Sequence, residues 1–222
     1  MSDEMIIDGL DDIEVENTSV DEIDSENINL IFVGIDCSGS MARFESDMRK
    51  ALADFKDALI NSKEADEILI ARADFADNIS VGGYKKISEF DTYYGANGMT
   101  AMYDTIVEGV DKLEQYRNFL KQEGMRVKAV FAIFSDGEDT SSIKSMAEAR
   151  QKIEYLNGEE IVTAFISFGG AATQTAKNLK FKNILDVSSS ASELRKAFNC
   201  LSKSVIENSK SAVDNTDDFF GV

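Results

Sequence analysis

Short apolar runs alternate along this chain with stretches whose apolar residues recur at helical spacing. Leu30-Ile31-Phe32-Val33-Gly34-Ile35 is continuously apolar, as a central strand covered on both faces requires. Phe44, Met48, Ala51, Leu52, Phe55 and Leu59 then fall on one face of a helix. Strands are predicted over 68–75, 79–81, 127–134, 161–168 and 183–187. The turn Ala76-Asp77-Asn78 is short enough to make 79–81 the antiparallel partner of 68–75. Further helices are marked by Met102, Ile106, Val110, Leu113 and Leu120, by Ile143, Met146, Ile153 and Leu156, by 171–179, and by Leu194, Phe198, Leu201 and Val205, with Ser190 or Ser192 as the last cap. The alternation predicts an α/β fold: a doubly wound, mostly parallel six-stranded sheet with one antiparallel edge strand and helices on both faces. In such sheets ligands bind at the carboxyl ends of the strands, where the strand order reverses.

Charge divides the chain further. The net charge is −18, and residues 1–28 carry eleven acidic side chains without a Lys or Arg. Such a segment repels itself and buries little, so 1–28 is expected to be a disordered arm, with Ile6-Ile7 and Ile13/Val15 able to add a short strand. The domain is expected over 29–208, followed by an acidic, aromatic tail over 209–222 that suits a basic, apolar groove or folds back on the domain. A 29–208 domain is large enough for one core.

Composition removes several chemistries. The chain has no His, so neither a Ser-His-Asp triad nor a His-containing zinc site can be built. Its acidity opposes a nucleic-acid backbone or an anionic membrane as partner. No apolar run approaches the roughly 20 residues of a membrane span. Cys37 and Cys200 follow no secretion signal, so reduced cysteines and a cytoplasmic location are expected.

The candidate chemistry lies at strand tips. The first strand ends in Asp36-Cys37-Ser38-Gly39-Ser40, a carboxylate followed by two hydroxyls at alternate positions, with Gly39 allowing a tight turn. By itself this reads equally well as a helix cap. Gly98-Met99-Thr100 precedes the long second helix, and Ser135-Asp136-Gly137-Glu138-Asp139 follows the 127–134 strand, so the sheet delivers all three segments to its carboxyl edge. Asp36, Ser38, Ser40, Thr100 and Asp136 form an all-oxygen set suited to Mg²⁺ or Mn²⁺ rather than zinc or copper. Cys37 is expected to face the core, and Glu138 and Asp139 to be exposed loop acids.

These segments resemble the metal-ion-dependent adhesion site of von Willebrand factor A domains, whose pattern is Asp-x-Ser-x-Ser, a distant Thr and a later Asp. The resemblance spans about 29–208 and extends to Thr100-Ala101-Met102-Tyr103-Asp104 and Phe75-Ala76-Asp77. It implies that Ser38, Ser40 and Thr100 touch the metal directly and that Asp36 and Asp136 hold it through water. It also implies a non-enzymatic adaptor whose metal takes an Asp or Glu of a partner protein. Intracellular proteins of this kind serve beside AAA+ ATPases or in stress-response assemblies with kinases and phosphatases. Two other functions compete: a metal-assisted phosphoryl hydrolase using Asp36, for which no Walker-type loop or general base is evident, and charge-driven binding of a basic partner by the acidic arms with a vestigial metal site.

Overall fold

The computed structural model describes residues 17–62, 67–159, 161–210 and 217–221. The chain runs β1 (Asn27–Asp36), a 3-10 turn (Gly39–Phe44), α1 (Glu45–Ile60), β2 (Glu67–Phe75), β3 (Ile79–Val81) and β4 (Lys85–Lys86). It continues with α2 (Met102–Gln122), β5 (Arg126–Ser135), α3 (Met146–Gly158), β6 (Val162–Phe168), α4 (Thr173–Asn178), β7 (Asn183–Val187) and α5 (Ala191–Lys210). The sheet order is β3-β2-β1-β5-β6-β7, with β4 paired to β2. Strands β2, β1, β5, β6 and β7 are parallel, while β3 and β4 are antiparallel to β2.

Among the described residues the sheet thus has seven strands rather than six, and two of them run antiparallel. The additional strand is the two-residue Lys85–Lys86, which is too short and too polar to show a period of two. Helix α3 starts at Met146, and Ile143 is 94% exposed rather than on its apolar face. Ser145 and Glu148 form a reciprocal capping box that fixes the helix start beyond Ile143. Ser190 supplies the cap of α5, its hydroxyl accepting from the Glu193 amide.

Alternation along β1 sends Ile31, Val33 and Ile35 to one face, with Met48, Phe55, Phe198 and Leu201 of α1 and α5. Leu30 and Phe32 face Ile106, Val110 and Leu113 of α2 and Ile153 of α3. Helix α2 comes close enough over β1 that a Cβ on Gly109 would lie 2.3 Å from Phe32 Cζ. Phe32 in turn stacks on Phe131 of β5 with centroids 4.8 Å apart. This pairing couples the two central strands, and the chain winds outward from them in opposite directions, so the crevice predicted to hold a ligand opens at their carboxyl ends.

Of the acidic arm expected over 1–28, residues 1–16 lie outside the described residues, including Ile6-Ile7 and Ile13/Val15. Residues 17–28 do not form a loose arm. The Asn17 side chain accepts from the Tyr84 amide, the Thr18 amide donates to the Tyr84 carbonyl, and Tyr116 donates its hydroxyl to the Thr18 carbonyl at 2.7 Å. Bonds to buried tyrosines outweigh the local charge there. In the tail, 211–216 and 222 lie outside the described residues, whereas Phe219 is 2% exposed and its amide donates to Asn183 Oδ1. No helix among the described residues is long and apolar enough to cross a membrane.

Candidate cation site

Strand β1 carries Asp36 to the sheet edge at a position with no solvent-exposed surface. One carboxylate oxygen accepts from the Ser38 amide at 2.9 Å, and the other accepts from the Ser135 hydroxyl at 2.6 Å. Tyr94, also fully buried, donates its hydroxyl to the Asp36 carbonyl at 2.5 Å. These bonds hold the strand tip rigid.

Beyond it the chain tightens into the 3-10 turn, which brings the two serines together. Ser38 Oγ and Ser40 Oγ are 3.0 Å apart, and Ser40 donates to Asp136 Oδ1 at 2.8 Å. Asp36, Ser38, Ser40 and Asp136, separated by up to a hundred residues of sequence, therefore form one hydrogen-bonded chain of residues, Asp36 joining it through the Ser38 amide. No hydrogen bond among the described residues joins Thr100 to the other four. Thr100 is brought alongside by backbone: Gly39 donates to the Gly98 carbonyl at 2.9 Å, and Asn97 donates to the Cys37 carbonyl at 2.8 Å. Gly98 has φ of +88°, and a Cβ there would lie 2.4 Å from Asp77 Oδ2, so this approach requires glycine.

A second set of bonds ties the Thr100 segment to the loop after Asp136. Thr140 and Ser141 amides donate to the Thr100 carbonyl, and the Thr100 amide donates to Thr140 Oγ1. Asp139 accepts from the Tyr103 amide, and Asp104 accepts from the Ile143 and Lys144 amides. Asp139 is accordingly not the exposed loop acid expected from sequence. Its carboxylate and that of Asp104 clasp the first turn of α2 to the β5 loop, which fixes Thr100 relative to Asp136.

Burial raises the Asp136 carboxyl above the usual range, and repulsion from Asp36 adds to this, against the Ser40 hydrogen bond and the nearby Arg43 charge. A fully buried carboxylate and a part-buried one close enough to repel are an arrangement that a cation relieves. Among the described residues no group of three or more Cys, Asp or Glu side chains gathers to chelate a metal. The donor set is instead rich in neutral hydroxyls, which fits a hard cation that keeps water or accepts an outside ligand. Cys37 is buried, and burial followed by the Asp74 charge pushes its thiol well up, which opposes thiolate chemistry.

Sequence reasoning missed two residues. Ser135 ends β5 and reaches across to Asp36, which its place beside Asp136 could have signalled. Tyr94 lies in a loop without local pattern, and nothing in the sequence marks its bond to Asp36.

No protein-family model matches the sequence, and a search of curated proteins finds no match. Solved structures do match. A von Willebrand factor type A protein from Catenulispora acidiphila is 17% identical with a TM-score of 0.56, over 82% of this chain and 43% of that one. The vWF domain of the type V pili tip protein Mfa5 from Porphyromonas gingivalis is 10% identical with a TM-score of 0.57, over 84% of this chain and 97% of that one. The pilus adhesin SpaC from Lactobacillus rhamnosus GG is 12% identical with a TM-score of 0.64, over 84% of this chain but 31% of its own length. The chain thus spans under half of the SpaC and Catenulispora proteins. Sheet order, helix placement and these likenesses together define a von Willebrand factor A-like fold.

Proposed function

We propose that this protein is a non-enzymatic binding module that holds Mg²⁺ or Mn²⁺ and uses it to take a carboxylate from a partner protein. The observation that carries the reading is the hydrogen-bonded chain, Asp36 with Ser38, Ser40 and Asp136, at the reversal point of the sheet, with Thr100 alongside. In this reading Ser38, Ser40 and Thr100 contact the cation, and Asp36 and Asp136 hold it through water. Hydroxyls are neutral, so the ion keeps much of its charge and attracts an Asp or Glu. The bound cation supplies that attraction. The residues of this chain supply its position: the Ser38 amide and Ser135 orient Asp36, and the clasp of Asp104 and Asp139 sets Thr100.

A fold shared with pilus adhesins supports protein binding over catalysis. The site holds no evident general base, which counts against the phosphoryl hydrolase. A cytoplasmic adaptor beside an AAA+ ATPase, or within a stress-response kinase and phosphatase assembly, is the setting we infer for such a module.

The test is thermal unfolding in EDTA and in millimolar Mg²⁺, together with phosphate release from a phosphate-ester panel. Mg²⁺ should raise Tm in the wild type and leave a Ser38→Ala/Ser40→Ala variant unchanged, with no phosphate released. Equal Tm shifts in both proteins, or Mg²⁺-dependent phosphate release lost in Asp36→Ala, would overturn the proposal.

A further inference from the structure

The rim of the site carries side chains that the cation does not need. Met99 directly precedes Thr100 and is 52% exposed, and Ile143, three residues after Thr140 of the clasp, is 94% exposed. Tyr93, in the segment leading to Thr100, is 65% exposed and lies under the Arg49 guanidinium. These are three of the five large apolar side chains exposed among the described residues; two precede Thr100 in its own segment and the third lies in the loop after Asp136 that is bonded to that segment. Single exposed apolar residues are ordinary, whereas a group at one functional edge marks an interaction surface.

The turn that carries Ser40 also presents an arginine, in a chain of net charge −18. Arg43 closes the 3-10 turn that carries Ser40 and is exposed. Its guanidinium donates to the neutral Ser189 hydroxyl at 3.1 Å and lies 4.7 Å from the Phe44 ring centroid. Among the described residues it makes no ion pair with a carboxylate, although five other arginines do. Its two close contacts, the Phe44 ring and Ser189, are uncharged, and Asp136 feels its charge without forming an ion pair with it.

We propose that this rim reads a protein segment in which the metal-bound Asp or Glu adjoins a large apolar side chain and a second acidic group. Met99 and Ile143 take the apolar group, and Arg43 takes the second carboxylate. The inference rests on the cation-bridging reading above and adds the partner's chemistry to it. Charge complementarity sets the occupant: in a strongly acidic protein the cation and Arg43 are the features of this edge that attract an acidic segment, and the flanking apolar surface excludes a purely charged one.

The experiment pans random linear peptides displayed on phage against the full chain in Mg²⁺ and in EDTA, then measures the selected peptides by fluorescence anisotropy. Terbium luminescence titrations report cation binding separately. Mg²⁺-dependent peptides should be enriched in Asp or Glu next to Phe, Leu, Ile or Met, with a further acid nearby. Met99→Ser/Ile143→Ser should weaken them about tenfold or more, the loss expected from two apolar contacts, while cation affinity is unchanged. Arg43→Ser should weaken peptides with two acids and leave those with one acid unaffected. Mg²⁺-dependent peptides without apolar enrichment, or equal affinity in the variants, would refute the rim assignment alone. Cation binding without any Mg²⁺-dependent peptide would refute it together with the carboxylate bridge, and absence of cation binding would refute the metal site itself.

Discussion

Replacing Asp36 separates its structural role from its proposed role at the cation. The carboxylate is fully buried and accepts from the Ser38 amide and the Ser135 hydroxyl. Asp36→Ala removes both acceptors. Each abandoned buried donor costs about 1–3 kcal/mol. The Ser135 hydroxyl can turn to the Gly137 carbonyl, already 3.3 Å away, which recovers part of its share. Removing a buried charge that repels Asp136 offsets more. The net expectation without cation is a loss of about 1–3 kcal/mol. Asp36→Asn keeps the volume and an oxygen for the Ser38 amide, and its new amide can donate to a reversed Ser135 hydroxyl. It should therefore unfold within about 1 kcal/mol of wild type, on the stable side if repulsion dominates. Urea unfolding followed by circular dichroism in EDTA checks this difference. In Mg²⁺ at a hundred times its Kd the wild type should gain about 2.7 kcal/mol, and neither variant should gain. An Asn variant as unstable as Ala in EDTA, or one that retains the Mg²⁺ gain, would refute these roles of Asp36.

Three further outcomes follow from the same geometry. Gly109→Ala improves helix propensity by about 1 kcal/mol, but its methyl would meet Phe32, and overpacking of about 1–3 kcal/mol should leave the protein less stable in urea. Phe219→Ala should cost about 3 kcal/mol and match deletion of the tail, whereas an unchanged midpoint would mean that the tail contributes no packing. Because the folded Asp136 carboxyl is raised, it binds a proton more readily folded than unfolded. Its contribution to apo stability is present below the unfolded value and lost as pH rises through the folded one, while Mg²⁺ affinity should fall as pH drops through that raised value. Calorimetric titrations across the acid range, compared with Asp136→Asn, check the sign.

The elements legible in the sequence are those whose signal is local. Largely apolar stretches of strand length gave the parallel strands, and the Asp36, Thr100 and Asp136 segments announced themselves because strand tips and turn residues adjoin in sequence. What escaped depends on partners far along the chain. Lys85–Lys86 becomes a strand only because β2 offers an edge, and Asp139 becomes a clasp only because the α2 amide of Tyr103 lies 36 residues away in sequence and one hydrogen bond away in space. Charge density made 1–28 look like a disordered arm able to add at most a short strand, yet from Asn17 onward it is anchored by Tyr84 and Tyr116. Ile143 fits a helical spacing, but the Ser145 cap interrupts it and leaves the side chain in solvent.

The most direct measurement of the central claim is isothermal titration of Mg²⁺ into the metal-stripped chain, with Asp36→Ala and Thr100→Ala alongside. The wild type should bind one cation per chain, Thr100→Ala should bind it more weakly and Asp36→Ala not at all. Identical titrations for the three proteins, or no heat for the wild type that competition with Mn²⁺ also fails to reveal, would contradict that claim.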